Sequence, residues 1–253
     1  MLFCLDDIDS VPEDRLRQTK KTQKEYNVRV DSISPPIERL DGKTDLWAPR
    51  YLCSAHPLSA FTKYTAGFKI KLSDLGSAYF FDDPPTKDTT PRGLRAPETI
   101  LTHTMNNALD IWSFGCLVFE LITGQRIFNL CSFGRKMDDE DQHLLELNAC
   151  VGALPEEIMK QWKRSSLYFT PQGKLYNCMI GRGEGGTPHM FEQQSLEERF
   201  DAAAPDLDEK EAMAVKALIR RILQYDPAKR PTPSELLQDP WFRNIDSAGN
   251  LAS

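Results

Sequence analysis

The sequence predicts a mainly α-helical fold, a helical bundle with a short β element. Three observations carry this. From residue 97 onward, apolar positions recur with a helical period or stand beside helix start and stop signals. Only residues 67–73 alternate cleanly as a half-buried strand, with Phe68, Ile70 and Leu72 on one side and Lys69, Lys71 and Ser73 on the other. No internal repeat suggests a solenoid or propeller.

Each element has its own reason. Met1-Leu2-Phe3-Cys4-Leu5 reads as the end of a strand that runs into an acidic turn at Asp6-Asp7. Residues 10–66 hold Ser-Pro, Pro-Pro and Asp-Gly pairs, a basic-polar run from Arg15 to Lys24, and no period. They are expected to form a long insert, disordered in part. Residues 74–98 are irregular, and 97–102 should be a short helix entered at a proline. Ala108–Ile122 is apolar nearly all round, so a buried central helix is expected, stopping at Thr123-Gly124. Leu144, Leu145, Leu147 and Val151 place a helix over 138–151, and Pro155-Glu156-Glu157 opens a short one over 155–165. The many glycines of 173–188 read as a loop. Within 207–225, Val215, Leu218, Ile219, Ile222 and Leu223 form the cleanest amphipathic face. The last helix has Thr232 as N-cap, Pro233 at its first position and Glu235 to close a capping box, and Asp239-Pro240-Trp241-Phe242 ends it.

Composition narrows the function classes. The chain of 253 residues has room for one large domain or two small ones, with 40% apolar residues. A net charge of −6 without a basic stripe argues against nucleic acid and suits a basic partner. Cysteines 4, 53, 116, 131, 150 and 178 form no C-x-x-C and share no ligand spacing with the histidines, so no structural zinc is expected. They read as thiols of a reducing compartment, with Cys116 in the core. The opening residues lack the basic start of a signal peptide. The 108–122 run carries Asp110 and Glu120 and is too short to cross a bilayer, which takes about twenty residues. An intracellular protein without membrane contact is expected, nucleus or cytoplasm undecided.

The order of three motifs then points to a family. Asp74-Leu75-Gly76, Ala96-Pro97-Glu98 and Asp110-Ile111-Trp112-Ser113-Phe114-Gly115 resemble the second half of a protein kinase domain. Thr90-Pro91-Arg92-Gly93-Leu94-Arg95 resembles the substrate-docking end of the activation segment in the group holding the cyclin-dependent and MAP kinases. Asp226-Pro227-Ala228-Lys229-Arg230-Pro231-Thr232 resembles the late loop whose arginine pairs with the Glu98 position. By this resemblance Asp74 is the metal ligand and Gly76 frees the backbone to turn. Arg92, Gly93, Leu94 and Arg95 dock substrate. Glu98 and Arg230 form a buried bidentate tie. Asp110 accepts from catalytic-loop amides, or is simply an acid favoured by the helix dipole.

A closer resemblance is to the SR-protein kinases. It rests on Asp-Leu-Gly in place of Asp-Phe-Gly and on Asp138-Asp139-Glu140-Asp141-Gln142-His143. Gly152-Ala153-Leu154-Pro155 and Tyr168-Phe169-Thr170-Pro171-Gln172-Gly173-Lys174-Leu175 add to it. It implies a Ser/Thr kinase of basic or Arg/Ser-rich proteins. Residues 1–9 would be the end of the catalytic-loop strand, 10–66 an insert, 67–245 the C-lobe and 246–253 a tail. Acids expected along 142–149 fall on Gln142 and Ala149, with Asp139, Glu140, Asp141 and Glu146 close by. The 138–141 run is then either part of a docking groove or a solvated helix start.

No glycine loop with a Val-Ala-x-Lys strand and no His-Arg-Asp loop precedes Asp74. The resemblance therefore implies a truncated kinase domain, its general base expected upstream of Met1 and its N-lobe supplied by a longer product. ATP and Mg²⁺ serve the full-length family and would bind this chain weakly or not at all. The competing reading is a catalytically dead kinase-like scaffold that binds partners. Gly181-Arg182-Gly183-Glu184-Gly185-Gly186 spells a dinucleotide fingerprint, but no strand–helix unit surrounds it, which excludes an oxidoreductase.

Overall fold

The computed structural model describes residues 2–3, 8–16, 40–43, 61, 70–80, 82–85, 89–131, 135–180, 189–190 and 192–243. The chain forms two compact units, Met1–Gly76 and Ser77–Ser253. The division leaves Ile70–Lys71 and Asp74 in the first unit, where the sequence reading joined them to residues 77–245.

In the first unit, β1 (Leu2–Phe3) pairs antiparallel with β2 (Ile70–Lys71), Leu2 opposite Lys71 and Phe3 opposite Ile70. The strand expected at the start of the chain is present. The strand expected over 67–73 is described only at Ile70–Lys71, and the two described residues of its apolar side stand largely in solvent, Ile70 49% and Leu72 76% exposed. Alternation buries a face only where something packs on it, and a two-stranded ribbon supplies little cover of its own. Ile8–Ser10 makes a 3-10 turn, and α1 (Glu13–Leu16) is a single turn with Glu13 and Asp14 at its dipole-favoured start. The Arg15 guanidinium lies 5.9 Å from the Phe61 ring centre. Most of the 10–66 insert, with its basic-polar run, lies outside the described residues.

The second unit is helical. In α2 (Pro97–Thr102) the proline takes the first position, and His103, in the left-handed region at φ 54°, closes the helix. Asn106 Oδ1 accepts from Ala108 N at the start of α3 (Ala108–Thr123), and Gly124 ends it at φ 68°. The helix is not buried all round as its composition suggested. Leu109, Trp112, Gly115, Cys116, Val118 and Phe119 face inward, while Leu121 is exposed. One flank carries the inward packing, so apolar residues on the other are left to solvent.

Helix α4 (Lys136–Cys150) begins slightly earlier than expected, and α5 (Glu156–Gln161) is shorter. The 173–188 stretch is more than a loop: β3 (Met179–Ile180) pairs antiparallel with β4 (His189–Met190). The glycine run at 181–186 lies outside the described residues. Helix α6 (Leu196–Ala202) has a full Ser195/Glu198 capping box and α7 (Glu209–Ile222) an Asp208 cap. Helix α8 (Pro233–Leu237) has the Thr232/Glu235 box its sequence spells. Val215, Leu218, Ile219, Ile222 and Leu223 are all buried. Helices α3 and α7 meet at Gly115, where a Cβ would come within 2.6 Å of Ile222 Cγ2 and 2.9 Å of Leu223 Cδ2. No described helix is long and apolar enough to cross a membrane.

Candidate functional site

Asp74 follows β2 in the first unit, with its side chain exposed. Its φ is 63°, in the left-handed region that aspartate tolerates better than most residues. Gly76 sits inside a 3-10 turn over Leu75–Ser77 without a positive φ, and a Cβ there would meet only Asp74 Oδ1, at 3.9 Å. The backbone freedom expected of Gly76 is thus exercised by Asp74. Among the described residues no three or more His, Cys, Asp or Glu side chains gather as a metal cluster. One exposed carboxylate fits Mg²⁺ of the kind held by one or two acids together with substrate phosphates.

The other candidate residues lie in the second unit. Arg92–Leu94 forms a 3-10 turn entered from Pro91. The turn is held from several sides. Ser113 Oγ of α3 donates to Leu94 O at 3.0 Å, and Arg95 Nε donates to Thr90 O at 2.8 Å. Arg92 donates to Cys131 O at 3.1 Å and Asp139 O at 3.3 Å, and pairs with Asp139 Oδ2 at 3.2 Å. Four residues past the turn, Glu98 receives both arms of Arg230, Oε1 from Nη1 at 2.7 Å and Oε2 from Nη2 at 2.8 Å. Arg230 also donates to Ala108 O at 2.9 Å and Gln224 O at 2.9 Å, and lies 5.0 Å from the Trp112 ring centre. This is the buried bidentate tie that the motif order predicts. Asp110 is exposed in the first turn of α3, at the end the helix dipole favours for an acid.

Between the 91–94 turn, α3 and the segment after it lies a cleft of about 630 Å³. Leu94, Cys116, Ile127, Phe128 and Leu130 give it apolar lining, and Arg92, Glu120 and Arg126 give it charge. Arg92 is committed to Asp139. Glu120 is half-buried; its carbonyl accepts from Gly124 N, and its carboxylate has no described hydrogen-bond or ion-pair partner.

The acidic run 138–141 is not a solvated helix start. Asp138 and Asp141 are buried. Arg164 pairs with Asp138 Oδ1 at 2.8 Å and Asp141 Oδ2 at 3.1 Å. Trp162 Nε1 donates to Asp141 Oδ1 at 2.8 Å and Tyr168 Oη to Asp141 Oδ2 at 2.7 Å. Burial raises the Asp141 carboxyl above its ordinary range, against the Tyr168 and Trp162 hydrogen bonds and the Arg164 charge. Sequence reasoning missed this network, although one signal was present. Asp138, Asp141, Gln142 and Leu145 stand at i, i+3, i+4 and i+7, the spacing of a buried helix face.

Further along α4, His143 is buried against the Phe128 ring at 5.5 Å and held down to about 3 by burial and the Arg92 and Arg95 charges, so it stays neutral. Glu146 contacts Arg199 Nη2 at 2.7 Å, while Arg199 Nη1 donates to Ile127 O at 2.7 Å. Burial outweighs Arg199 and pushes the Glu146 carboxyl up to about 7.

A mainly helical unit with few strands, a 3-10 turn at Arg92–Leu94, a cleft beside it and a Glu98–Arg230 tie fits one class, the kinase-type fold. The family model for the protein kinase domain matches residues 61–242, and the chain belongs to that family. It is 32% identical to the serine/threonine-protein kinase SRPK of Physarum polycephalum over 178 residues, 70% of this chain and 39% of that one. It is 28% identical to the serine/threonine-protein kinase SKY1 of Saccharomyces cerevisiae over 176 residues, 70% of this chain and 22% of that one. It is also 28% identical to the dual specificity tyrosine-phosphorylation-regulated kinase 3 of Mus musculus over 198 residues, 75% of this chain and 32% of that one. The chain thus spans well under half the length of these relatives. A crystal structure of a kinase domain superposes with a TM-score of 0.50 at 24% identity, covering 83% of this chain and 53% of that chain, a likeness of fold. The resemblance to SR-protein kinases read from the sequence stands on these matches.

Proposed function

We propose that this chain supplies the helical, substrate-binding lobe of a Ser/Thr protein kinase. The reaction transfers the ATP γ-phosphate to Ser or Thr of basic, Arg/Ser-rich proteins. One observation carries the reading: the cleft beside the Arg92–Leu94 turn, which the Glu98–Arg230 tie anchors nearby. The Glu120 carboxylate has no described partner in that cleft, so it suits an arginine of the substrate. The net charge of −6 favours approach of a basic chain. Asp74 would hold Mg²⁺, which in this chemistry neutralises charge on the β- and γ-phosphate oxygens. The buried free thiols Cys116 and Cys150 accord with a reducing interior, cytoplasm or nucleus.

The 253 residues contain no His-Arg-Asp loop, whose aspartate is one of the parts that position the reacting groups, and positioning with charge stabilisation is nearly all of this catalysis. A second reading follows: by itself the chain acts as a partner-binding module. Fluorescence anisotropy with a labelled Arg-Ser repeat peptide tests the shared cleft. The chain should bind the peptide in a salt-sensitive way, and Glu120→Gln should weaken it about tenfold, a change of about 1.4 kcal/mol. ATP should bind more weakly than about 1 mM, and the isolated chain should transfer no phosphate to the peptide. Unchanged affinity in Glu120→Gln removes the cleft as the substrate site, and stoichiometric transfer removes the binding-module reading.

A further inference from the structure

Gln142 is 1% exposed and uses both ends of its amide on a distant piece of backbone. Its Oε1 accepts from Cys131 N at 2.9 Å, and its Nε2 donates to Asn129 O at 3.0 Å. A primary amide meets these two opposite demands together. A carboxylate could accept but not donate, and a thioether of similar length would do neither well. The carbonyl of Cys131 is taken by Arg92, which also reaches the carbonyl and carboxylate of Asp139 on α4. Two side chains, one from α4 and one from the docking turn, therefore hold the backbone polar groups of residues 129–131. Asn129, Leu130 and Cys131 line the cleft on one side, and Pro91, Arg92, Gly93 and Leu94 on another.

We infer that Gln142 is a positioning residue for the protein substrate: with Arg92 it sets the separation of these two cleft walls. The inference rests on the reading of this cleft as the substrate site. An untied segment would have to be ordered at the moment of binding, and that ordering subtracts from affinity. The clamp removes that cost by presenting a slot already formed.

The experiment combines amide hydrogen exchange at Cys131 with anisotropy of the Arg-Ser peptide on the full chain. Gln142→Met should speed Cys131 exchange by about tenfold and weaken the peptide by a similar factor, as loss of the two amide hydrogen bonds requires. Gln142→Glu should keep the Cys131 amide protected, because a carboxylate still accepts from it. Unchanged Cys131 exchange in Gln142→Met overturns the inference. So does unchanged peptide affinity there while Glu120→Gln still weakens binding, and in that case the cleft reading survives alone. If Glu120→Gln is silent as well, both fall together. Arg92→Met provides an arm that leaves the Gln142 bonds in place, for use if the Gln142 variants do not fold. Charge alone says that removing a cation should tighten a basic peptide, whereas the clamp requires weaker binding. Tighter or equal binding by Arg92→Met overturns the inference.

Discussion

The second unit buries two Glu–Arg pairs that differ in how fully they are bonded. Glu98–Arg230 and Glu146–Arg199 have side-chain exposures of 12% and 1%, and 5% and 7%. Every guanidinium nitrogen of Arg230 has an oxygen partner, two on the carboxylate and others on Ala108 and Gln224. Arg199 leaves Nε without a partner, and Glu146 Oε2, though 2.7 Å from Arg199, makes no contact of hydrogen-bond geometry. Burial is alike in the two, and satisfaction is not. Desolvating two ions is repaid only when good geometry and further hydrogen bonds accompany the pair. The first pair therefore ties α2, the start of α3 and the loop before α8 into one unit. The second sits near the limit of what burial allows.

The largest effect should come from breaking the first pair. Arg230→Ala should cost about 3–5 kcal/mol in urea denaturation. Glu98→Ala should cost less, because Arg230 keeps its two carbonyl acceptors. The double variant should be far from additive. Additive losses would show that the pair has no coupling and would erase the contrast with Glu146–Arg199.

The second pair should reveal itself through pH. Glu146 has an ordinary value of 4.5 and reaches about 7 when folded. A raised folded value means the folded state holds the proton longer. The stability it adds is complete below pH 4.5 and is lost as pH rises through about 7. The amount is roughly 3 kcal/mol. Melting temperature should fall across that window, and Glu146→Gln should flatten the fall. If the two profiles run parallel, the pairs are electrostatically equivalent after all.

A milder change sharpens the difference. Gly115→Ala drives a methyl into Ile222 and Leu223 and should cost about 1–3 kcal/mol. The strain falls on the α3–α7 seam, so it should weaken Glu98–Arg230 coupling in a mutant cycle and leave the pH profile of Glu146 alone. Equal effects on both would mean that the two pairs share one cooperative unit. The smallest effect belongs to the solvated reference pair, Lys160–Glu156 at 2.7 Å on the surface of α5. Lys160→Ala should leave the denaturation midpoint unchanged within error.

How much could be read from the sequence follows the same division. The start of α2 at Pro97, the Gly124 stop and the Thr232/Glu235 box were legible because neighbours in sequence make each of them. The Glu98–Arg230 tie was legible only through family motifs, since 132 positions separate its partners. The Asp138–Asp141 network was not, because Trp162, Arg164 and Tyr168 lie in a separate segment and a run of acids looks solvated until its partners are placed. The β3–β4 hairpin was hidden by the glycines between its strands. The 67–73 alternation promised a half-buried strand, and of its apolar side Leu72 is 76% exposed. The Gln142 clamp was invisible for another reason: it bonds to backbone, and backbone carries no sequence pattern.

The left-handed backbone at Asp74 has a practical side. Deleting that carboxylate by alanine would alter two properties together, the oxygen donors and the ease of holding φ near 63°. Alanine lacks the short polar side chain that eases this region, and its penalty is about 1–2 kcal/mol, enough to distort the turn that presents the residue. Asparagine accepts the same dihedral and differs only in charge and one donor group, so Asp74→Asn isolates the chemistry. Glycine removes the side chain and holds the same dihedral without strain, so Asp74→Gly deletes the carboxylate while keeping the turn. Stereochemistry thus picks the controls before any assay is chosen, and a loss seen in alanine alone would report a bent turn, with no bearing on the missing carboxylate.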